Sequence, residues 1–352
     1  MSRPDSLAGL MREQELDSLL VSNLVNVRWL CGFTGTNGAC VLAPEERVFV
    51  TDFRYVEQAD EEVSGFETVR GERDLLADLA GRLSGRTGFD DAHLSVRAHA
   101  KLSDALGAGV ELVAAGGLVE RLREVKEEAE LRAIGAAAAL ADEALGAVLE
   151  RGLAGRTELA VARELERELR ERGAEDPSFP AIVAAGAHGA LPHAQPRDTE
   201  IPGGELVIVD WGARVDGYCS DCTRTFATGE LSEHAAEVYE LVRRAQERAL
   251  AAVRPGAGLS EVDGVARGLI EAAGHRERFG HGLGHGVGLE VHEGPRVAKT
   301  AEGELRVGNV VTVEPGVYLP GEFGVRIEDL VAVTAAGAEV LSSLPKTLTS
   351  VD

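Results

Sequence analysis

Short apolar runs and helical spacings alternate through the first third of the chain. The segments 19–21, 39–42 and 47–51 have the length and composition of β-strands. The segments 74–82 and 98–106 have the spacing of helices. Strands that alternate with helices in this way predict a small α/β domain at the N-terminus.

A long amphipathic helix follows this domain. Its apolar positions step by three and four residues and form one stripe: Leu131, Ile134, Ala138, Ala141, Leu145 and Val148. Gly152 ends this helix, and a second helix is predicted over 157–172. A helix at 260–273 begins with a similar hydroxyl-glutamate pair and also ends at glycine. This weak internal duplication suggests two related half-domains.

Beyond residue 202 the chain becomes strand-rich and favours an α+β domain with a large antiparallel sheet. The apolar run 206–209 and the extended segment 218–228 flank an Asp-Gly pair that is typical of hairpin turns. Asp210 ends the first strand and Asp221 lies in the returning strand, so we expect their side chains to be cross-strand neighbours. Two carboxylates this close repel each other unless a cation lies between them.

A second predicted hairpin repeats this arrangement near the C-terminus. Strands at 310–313 and 325–333 are joined by a turn at a Pro-Gly pair, and Glu314 and Glu328 lie at equal distances from that turn. Any one of these acidic residues alone would usually face water. Carboxylates at the ends of apolar core strands need a partner, however, and two such pairs predict a metal site.

A glycine-rich segment at 279–288 contributes histidines. Glycine occupies every second position there, so the register of a phosphate-binding loop is absent. His281, His285 and His292 fall within twelve positions, and the chain has nine histidines in all. A histidine cluster flanked by glycines predicts a ligand set around which the backbone approaches closely. His193 is a weaker candidate on spacing alone.

Composition disfavours several classes of partner and compartment. The chain has 36 Lys and Arg residues and 59 Asp and Glu residues, so its formal net charge is -23. This charge disfavours binding to nucleic acid or to an anionic membrane. The N-terminus has no export signal, and four cysteines in 352 residues do not form a disulfide framework. We therefore expect a reduced, cytoplasmic protein. Cys219 and Cys222 flank Asp221 in a predicted strand, so we expect two small buried residues and not a redox motif.

Six motifs occur in the order of a known family, and they lie at 209–212, 217–225, 284–288, 292–295, 313–316 and 324–329. They resemble the proline-specific metallopeptidases of the pita-bread fold, Xaa-Pro dipeptidase (prolidase) and aminopeptidase P. Segments 32–35 and 51–55 are similar to the creatinase-type N-terminal domain. The resemblance implies an α/β creatinase-type domain over 1–118 and an α+β pita-bread metallopeptidase domain over 119–352.

The same resemblance implies a site. Its metal ligands would be Asp210, Asp221, His285, Glu314 and Glu328, which would hold two divalent ions. Mn²⁺ is favoured for this oxygen-rich set, with Co²⁺ or Zn²⁺ as alternatives. The resemblance implies hydrolysis of the Xaa-Pro bond by a hydroxide that the two ions activate. The catalytic residues would be His193, His292 and Glu314, and the substrate would be bound by His193, His281, His292, Arg296 and Arg326.

Substrate length is left open between two alternatives. Arg296 resembles an arginine that faces the substrate's C-terminal carboxylate in prolidases, which favours Xaa-Pro dipeptides over the longer peptides of an aminopeptidase P. A metal-free peptide-binding protein on the same fold is the alternative from another class. Methionine aminopeptidases are disfavoured by His281, and creatinases are disfavoured by the intact ligand set.

The resemblance also implies a homodimer that uses the loop 31–38. His188 is a departure from the family, because relatives commonly have Asn or Ser at this position.

Overall fold

The computed structural model describes residues 2–351. It divides the chain into two compact units, and the division lies between Arg123 and Glu124. The first unit contains six helices and six strands among its described residues. In chain order they are α1 (Arg3–Glu13), β1 (Ser18–Val21), α2 (Leu24–Cys31), β2 (Gly38–Ala43), β3 (Glu46–Thr51), α3 (Val56–Glu62), β4 (Glu67–Arg70), α4 (Leu75–Ala80), β5 (Arg86–Phe89), α5 (Val96–Ala105), β6 (Glu111–Ala114) and α6 (Leu118–Arg123).

One mixed sheet forms the centre of the first unit, with strand order β4-β3-β2-β1-β5-β6. The strands β1, β2 and β3 are antiparallel, whereas β4, β5 and β6 join by parallel pairing. Every residue of β1 is buried, as expected for a central strand covered on both faces. Leu79 of α4 and Leu102 of α5 pack against this sheet and are fully buried. The predicted α/β N-terminal domain is confirmed.

The second unit contains four helices and thirteen strands among its described residues. They are α7 (Glu128–Leu149), α8 (Glu158–Glu171), β7 (Asp176–Pro177), β8 (Ile182–Ala185), β9 (Leu206–Trp211), β10 (Ala213–Val215), β11 (Tyr218–Cys219), β12 (Cys222–Ala227), α9 (Glu233–Ala252), α10 (Leu259–Ala272), β13 (Gly284–Gly286), β14 (Glu293–Val297), β15 (Val310–Val313), β16 (Gly316–Leu319), β17 (Phe323–Arg326), β18 (Asp329–Thr334) and β19 (Gly337–Val340). Short 3₁₀ turns occupy Gly186–Ala190 and Arg276–Arg278.

Two helix pairs cover antiparallel sheets in this unit. The pair α7 and α8 packs on the sheet β12-β9-β8 around Trp211, whose Nε1 donates to Ala141 O at 2.9 Å. The pair α9 and α10 packs on the sheet β14-β13-β15-β18-β19 and on the hairpin β16-β17. This arrangement agrees with the two half-domains that the sequence suggests. Among the described residues, no helix has both the length and the apolar composition that crossing a bilayer requires.

The long helix predicted from the three-and-four spacing is α7. Its stripe faces the core, since Ile134, Leu145 and Val148 are fully buried. At its start, the Glu130 carboxylate accepts from the backbone N–H of Glu127 at 2.8 Å, as in one half of a capping box. Helix α7 therefore forms where the apolar stripe and the cap coincide.

The first predicted hairpin is present, but its returning strand is broken. Asp216 and Gly217 form the two-residue turn with φ of 49° and 79°, a left-handed conformation that glycine adopts without cost. The sequence predicts one strand over 218–228, whereas the structure has β11 and β12 with a break at Ser220 and Asp221. At the break, Ser220 Oγ accepts from Ala213 N at 3.0 Å, so a side chain replaces part of the ladder. The break releases Asp221 from the sheet.

The second predicted hairpin is also divided, and the division lies at its two glutamates. The pairs β15-β18 and β16-β17 keep one register, which places Glu314 opposite Glu328 between two short ladders. Pro315 has no N–H to continue the ladder. The backbone N–H groups turn elsewhere: Glu314 N donates to Leu283 O at 2.8 Å and Glu328 N donates to Thr223 O at 3.0 Å. The glutamates therefore lie where the backbone N–H groups of the hairpin bond to residues outside it and not to the opposite strand.

Candidate metal centre and active site

Three carboxylates from three different chain segments converge in the second unit. Asp210 comes from the end of β9, Asp221 from the break before β12, and Glu328 from the junction of β17 and β18. One oxygen of each lies within 4.8 Å of the others. In the register of β9 and β12, Asp210 lies opposite Thr223, so Asp221 is its diagonal neighbour and not its direct partner. Diagonal neighbours on one face are still within reach of each other.

His285 and Glu314 extend this cluster. His285 Nε2 lies 3.6 Å from Asp221 Oδ2 and 3.3 Å from Glu314 Oε1. The other ring nitrogen, Nδ1, faces Gly286 O at 3.1 Å. Because a carbonyl oxygen only accepts, Nδ1 carries a proton, so Nε2 is the ring nitrogen that faces the carboxylates and, in the neutral ring, could bind a cation. Hydrogen bonding to Glu314 and its charge favour the protonated ring, against burial. Thr312 Oγ1 donates to Glu314 Oε1 at 3.0 Å and orients that carboxylate.

The electrostatics of the cluster match a cation site. Burial raises the pKa of Asp221 and of Glu328 well above the usual range, and neighbouring carboxylates raise both further. Burial also raises the pKa of Asp210, against the opposing charge of Arg326. Asp210 Oδ1 and Glu328 Oε1 are buried and have no hydrogen-bond partner among the described residues. Four carboxylates and one imidazole, with buried oxygens left over, fit divalent ions that prefer oxygen ligands.

Glu314 differs from the other three carboxylates. Burial alone would raise the pKa of Glu314, but the hydrogen bond and the charge of His285 outweigh it and lower the pKa to about 2. Glu314 is therefore ionised across the neutral pH range. An ionised carboxylate next to this cluster can accept a proton during a reaction.

Alternating glycines let the strand that carries His285 approach its neighbours. A Cβ at Gly284 would overlap the carbonyl oxygen of Thr312, and one at Gly286 would overlap that of Gly294. A Cβ at Gly288 would overlap the carboxylate of Glu293. The close backbone approach predicted for this segment is confirmed at Gly284 and Gly286, whereas Gly288 makes room for a side chain.

Replacing Gly286 with alanine is therefore expected to destabilise the protein by about 1–3 kcal/mol, because the carbonyl of Gly294 must move. The displaced strand carries His285, so activity falls as well. Chemical denaturation measures the free energy of unfolding. Gly268→Ala is the control. This glycine is exposed on α10, and an added Cβ would meet open space. Alanine there should raise the free energy of unfolding by up to about 1 kcal/mol. Equal stability of the two variants would contradict the packing argument.

His292 and His193 lie at the exposed side of the cluster. The His292 ring is 4.2 Å from the His285 ring between centroids, and both His292 and His193 are exposed. Burial lowers the pKa of His292, and the charges of His285 and His193 lower it further. These two imidazoles are therefore open to a bound molecule.

His281 is placed differently from the other histidines. Its Nδ1 faces Gly282 O at 2.8 Å, and its Nε2 faces the Tyr318 hydroxyl at 3.0 Å. Burial lowers its pKa, which favours the neutral ring. Protein groups thus occupy both ring nitrogens, so His281 contributes to the wall of the site.

Arg326 is buried beside the carboxylates, and its guanidinium makes four hydrogen bonds to protein groups. Nη2 donates to Asp210 Oδ2 at 2.5 Å and Nε donates to Thr223 Oγ1 at 3.0 Å. Nη1 donates to Pro192 O and to the Tyr318 hydroxyl, each at 3.0 Å. Arg326 therefore orients Asp210 and ties it to the segment before His193.

Tyr318, Thr223 and Thr312 belong to this network and were missed by sequence reasoning. One signal could have found Tyr318: the hairpin register places Gly316 opposite Arg326, and Tyr318 follows on the same face. A Cβ at position 316 would meet the Tyr318 ring, so the glycine leaves room for it. Thr223 carries no comparable signal, because its partners Arg326 and Glu328 come from another hairpin. Thr312 lies two residues before Glu314, and this spacing places the two side chains on one face of an extended chain.

Arg296 lies apart from these contacts, on the exposed side of β14. It lines a groove of about 380 Å³ together with Glu124, Glu302, Glu304 and Arg306. Within this groove Arg306 Nη2 pairs with Glu124 Oε2 at 2.7 Å. Arg296 is thus an exposed guanidinium in a mixed-charge groove.

His188 and the two cysteines have structural surroundings. His188 is buried, and its Nδ1 lies 2.9 Å from Glu158 Oε2. Cys219 and Cys222 are each 4% exposed, as expected, and burial raises the pKa of the Cys219 thiol to about 11. Burial also raises the pKa of Cys222, whose thiol donates to Glu328 O at 3.4 Å. Neither thiol is poised to ionise.

Comparison with known proteins places this arrangement in a family. The model of "Metallopeptidase family M24" matches residues 132–335, and that of the "Creatinase/Prolidase N-terminal domain" matches residues 3–125. An Xaa-Pro dipeptidase of Pyrococcus horikoshii is 34% identical over 347 residues, which are 96% of each chain.

Solved structures agree along the whole chain. The Xaa-Pro dipeptidase from Bacillus anthracis is 38% identical with a TM-score of 0.95, covering 99% of this chain and 98% of the other. The X-Pro aminopeptidase from Thermotoga maritima is 35% identical with a TM-score of 0.88, covering 97% and 99%. The chain therefore belongs to metallopeptidase family M24, and it is a peptidase of the pita-bread fold with a creatinase-type N-terminal domain.

Proposed function

We propose that this peptidase hydrolyses the Xaa-Pro bond, and that its substrates are Xaa-Pro dipeptides. The observation that carries the proposal is the convergence of Asp210, Asp221, Glu328, His285 and Glu314 in a chain whose similar proteins include Xaa-Pro dipeptidases. Such a set holds metal ions for the hydrolysis of an amide bond.

These five residues would hold two divalent ions, and the oxygen-rich set favours Mn²⁺ over Co²⁺ or Zn²⁺. When bound, the ions lower the pKa of a water molecule and polarise the scissile carbonyl. Glu314 would accept the proton of the attacking water and pass it to the leaving proline nitrogen. Its ionised state and its hydrogen bond from Thr312 suit that role.

The exposed histidines would act on the substrate. The lowered pKa of His292 keeps its imidazole neutral near pH 7, and a ring N–H can then donate to the oxyanion that develops on the carbonyl. His193, which is also exposed, would bind the substrate. His281 would line the pocket, with Tyr318 held on its Nε2.

Arg296 would select dipeptides by pairing with the carboxylate that follows proline. Replacing it with methionine should raise the KM for an Xaa-Pro dipeptide roughly 10- to 100-fold, since a charge-assisted hydrogen bond is worth about 1.5–3 kcal/mol. The KM for an Xaa-Pro-Yaa tripeptide should change little. Steady-state kinetics with both peptides measures this difference.

The matched control is Arg306→Met, which removes a guanidinium from the same groove but leaves Arg296 in place. Equal losses for dipeptide and tripeptide in Arg296→Met would contradict the clamp. Tripeptide cleavage by the wild-type protein, in competition with the dipeptide, would favour the aminopeptidase that the Thermotoga maritima relative represents. Binding of peptides without cleavage, after metal loading, would favour a binding protein.

Manganese as the physiological metal, a homodimer that uses the loop 31–38, and a cytoplasmic location stay predictions. So do the individual roles of the site residues.

A further inference from the structure

A buried ion pair on α10 lies behind the histidine segment. Asp263 and Arg267 are one helical turn apart, and Arg267 Nε and Nη2 each donate to one Asp263 oxygen at 2.7 Å. Asp263 is fully buried, and the Arg267 side chain is 14% exposed. A two-bond pair of this kind fixes the orientation of both side chains.

The pair binds the backbone of the segment 279–283. Arg267 Nη1 donates to Phe279 O at 2.9 Å, and Nη2 donates to His281 O at 2.8 Å. Leu283 N donates to Asp263 Oδ1 at 3.0 Å. This segment lies between a 3₁₀ turn and β13 and has no ladder of its own. Bonds from the two side chains therefore take the place of regular secondary structure.

Contacts of this segment reach two residues of the site, His281 and Glu314. The Arg267 guanidinium lies over the Phe279 ring at 4.2 Å, and that ring packs edge-on against His281 with centroids 5.0 Å apart. Leu283 O accepts from Glu314 N at 2.8 Å. Phe279 thus helps to place the His281 ring, and Leu283 helps to place the backbone of Glu314.

We infer that Asp263 and Arg267 are positioning residues for the peptidase reaction: they hold the segment 279–283 so that His281 and Glu314 keep their working geometry. They act through these two residues and need not touch the substrate. The inference rests on the proposed function for the roles of His281 and Glu314. Lysine cannot replace Arg267, because a single ammonium cannot span two carbonyls and a carboxylate as the planar guanidinium does.

The test compares Arg267→Gln and Asp263→Asn with the wild-type protein. We expect kcat for an Xaa-Pro dipeptide to fall about 10- to 100-fold in Arg267→Gln, as for other residues that orient a reacting group. Asp263→Asn keeps the shape of the side chain and one oxygen that accepts from Leu283 N, so kcat should fall less in this variant. Arg243→Gln is the control: Arg243 pairs with Glu240 and Glu247 on the neighbouring α9, and its loss should leave kcat unchanged.

A double-mutant cycle separates positioning from general destabilisation. If Arg267 acts through His281, Arg267→Gln should lower kcat/KM much less in a His281→Ala background than in the wild-type protein. Hydrogen exchange over 279–285 gives a readout that does not depend on activity. Exchange should rise there in Arg267→Gln and Asp263→Asn, and not in Arg243→Gln.

Unchanged exchange, unchanged kcat or a fully additive cycle would each overturn the inference. If Arg267→Gln does not fold, Asp263→Asn decides by the same three readouts. If the wild-type protein cleaves no Xaa-Pro peptide, the proposed function fails on its own. The pair is then judged by exchange and by kcat on a peptide that the protein does cleave.

Discussion

Glu314→Gln should lower kcat for an Xaa-Pro dipeptide by at least about 100-fold, the usual contribution of a positioned proton acceptor. Glutamine keeps the size of the side chain and can still meet Thr312, but it cannot take up a proton. The pKa of Glu314, lowered by His285, means that the wild-type group is ionised and ready over the neutral range. Steady-state kinetics at saturating metal is the measurement.

Glu339→Gln is the matched control for that variant. Glu339 is an exposed glutamate on β19 of the second unit, so its loss should leave kcat unchanged. Circular dichroism and thermal unfolding show whether both variants are folded. Full activity of a folded Glu314→Gln protein would exclude Glu314 as the proton acceptor.

Removing metal with a chelator should abolish activity and lower the midpoint of thermal unfolding. Without a cation, the buried carboxylates of Asp210, Asp221 and Glu328 repel one another, and burial opposes their charges. Reloading with Mn²⁺ should restore activity. An ion present at 100 times its Kd adds about 2.7 kcal/mol to the stability of the folded state.

The control for the metal effect is Asp221→Asn. This variant loses a proposed ligand that faces both Asp210 and His285, so added Mn²⁺ should no longer raise its unfolding midpoint. Glu339→Gln should respond like the wild-type protein. Metal analysis that finds no bound ion in a fully active wild-type protein would contradict the metal centre.

The two carboxylate pairs could be anticipated from local sequence. The Asp216-Gly217 turn sets the register of β10 and β11, and that register continues to Asp210 and Thr223. The same reasoning places Glu314 opposite Glu328. A hairpin register depends on the turn and on the alternation of side chains, and both can be read from neighbouring residues.

The breaks in these hairpins could not be anticipated in the same way. Asp221 follows a point where the Ser220 hydroxyl takes a place in the ladder by accepting from Ala213 N. The N–H groups of Glu314 and Glu328 bond to residues outside their hairpin. Strand propensity predicts an extended chain across such positions. Whether a backbone N–H finds its partner in the hairpin or in the next sheet depends on packing between sheets.

The role of His188 shows the same limit. The sequence gives it no partner, whereas the structure places it against Glu158, the first residue of α8. Glu158 also accepts from the N–H groups of Ala185 and Arg197, so it holds both ends of the segment that carries His193. The three positions are far from Glu158 along the chain.

By itself, the sequence determined the two-unit α/β and α+β composition, the two hairpins with their carboxylate pairs, the close-packed glycines and the family. These follow from turn residues, from the periodicity of apolar positions and from motifs, which are local. Only the tertiary structure decided that His285 meets Glu314, that Arg326 and Tyr318 join Asp210 to His281, and that Asp263 and Arg267 hold the histidine segment. Each of these contacts joins residues on different elements, and their distances are set by how helices and sheets pack, which no local pattern records.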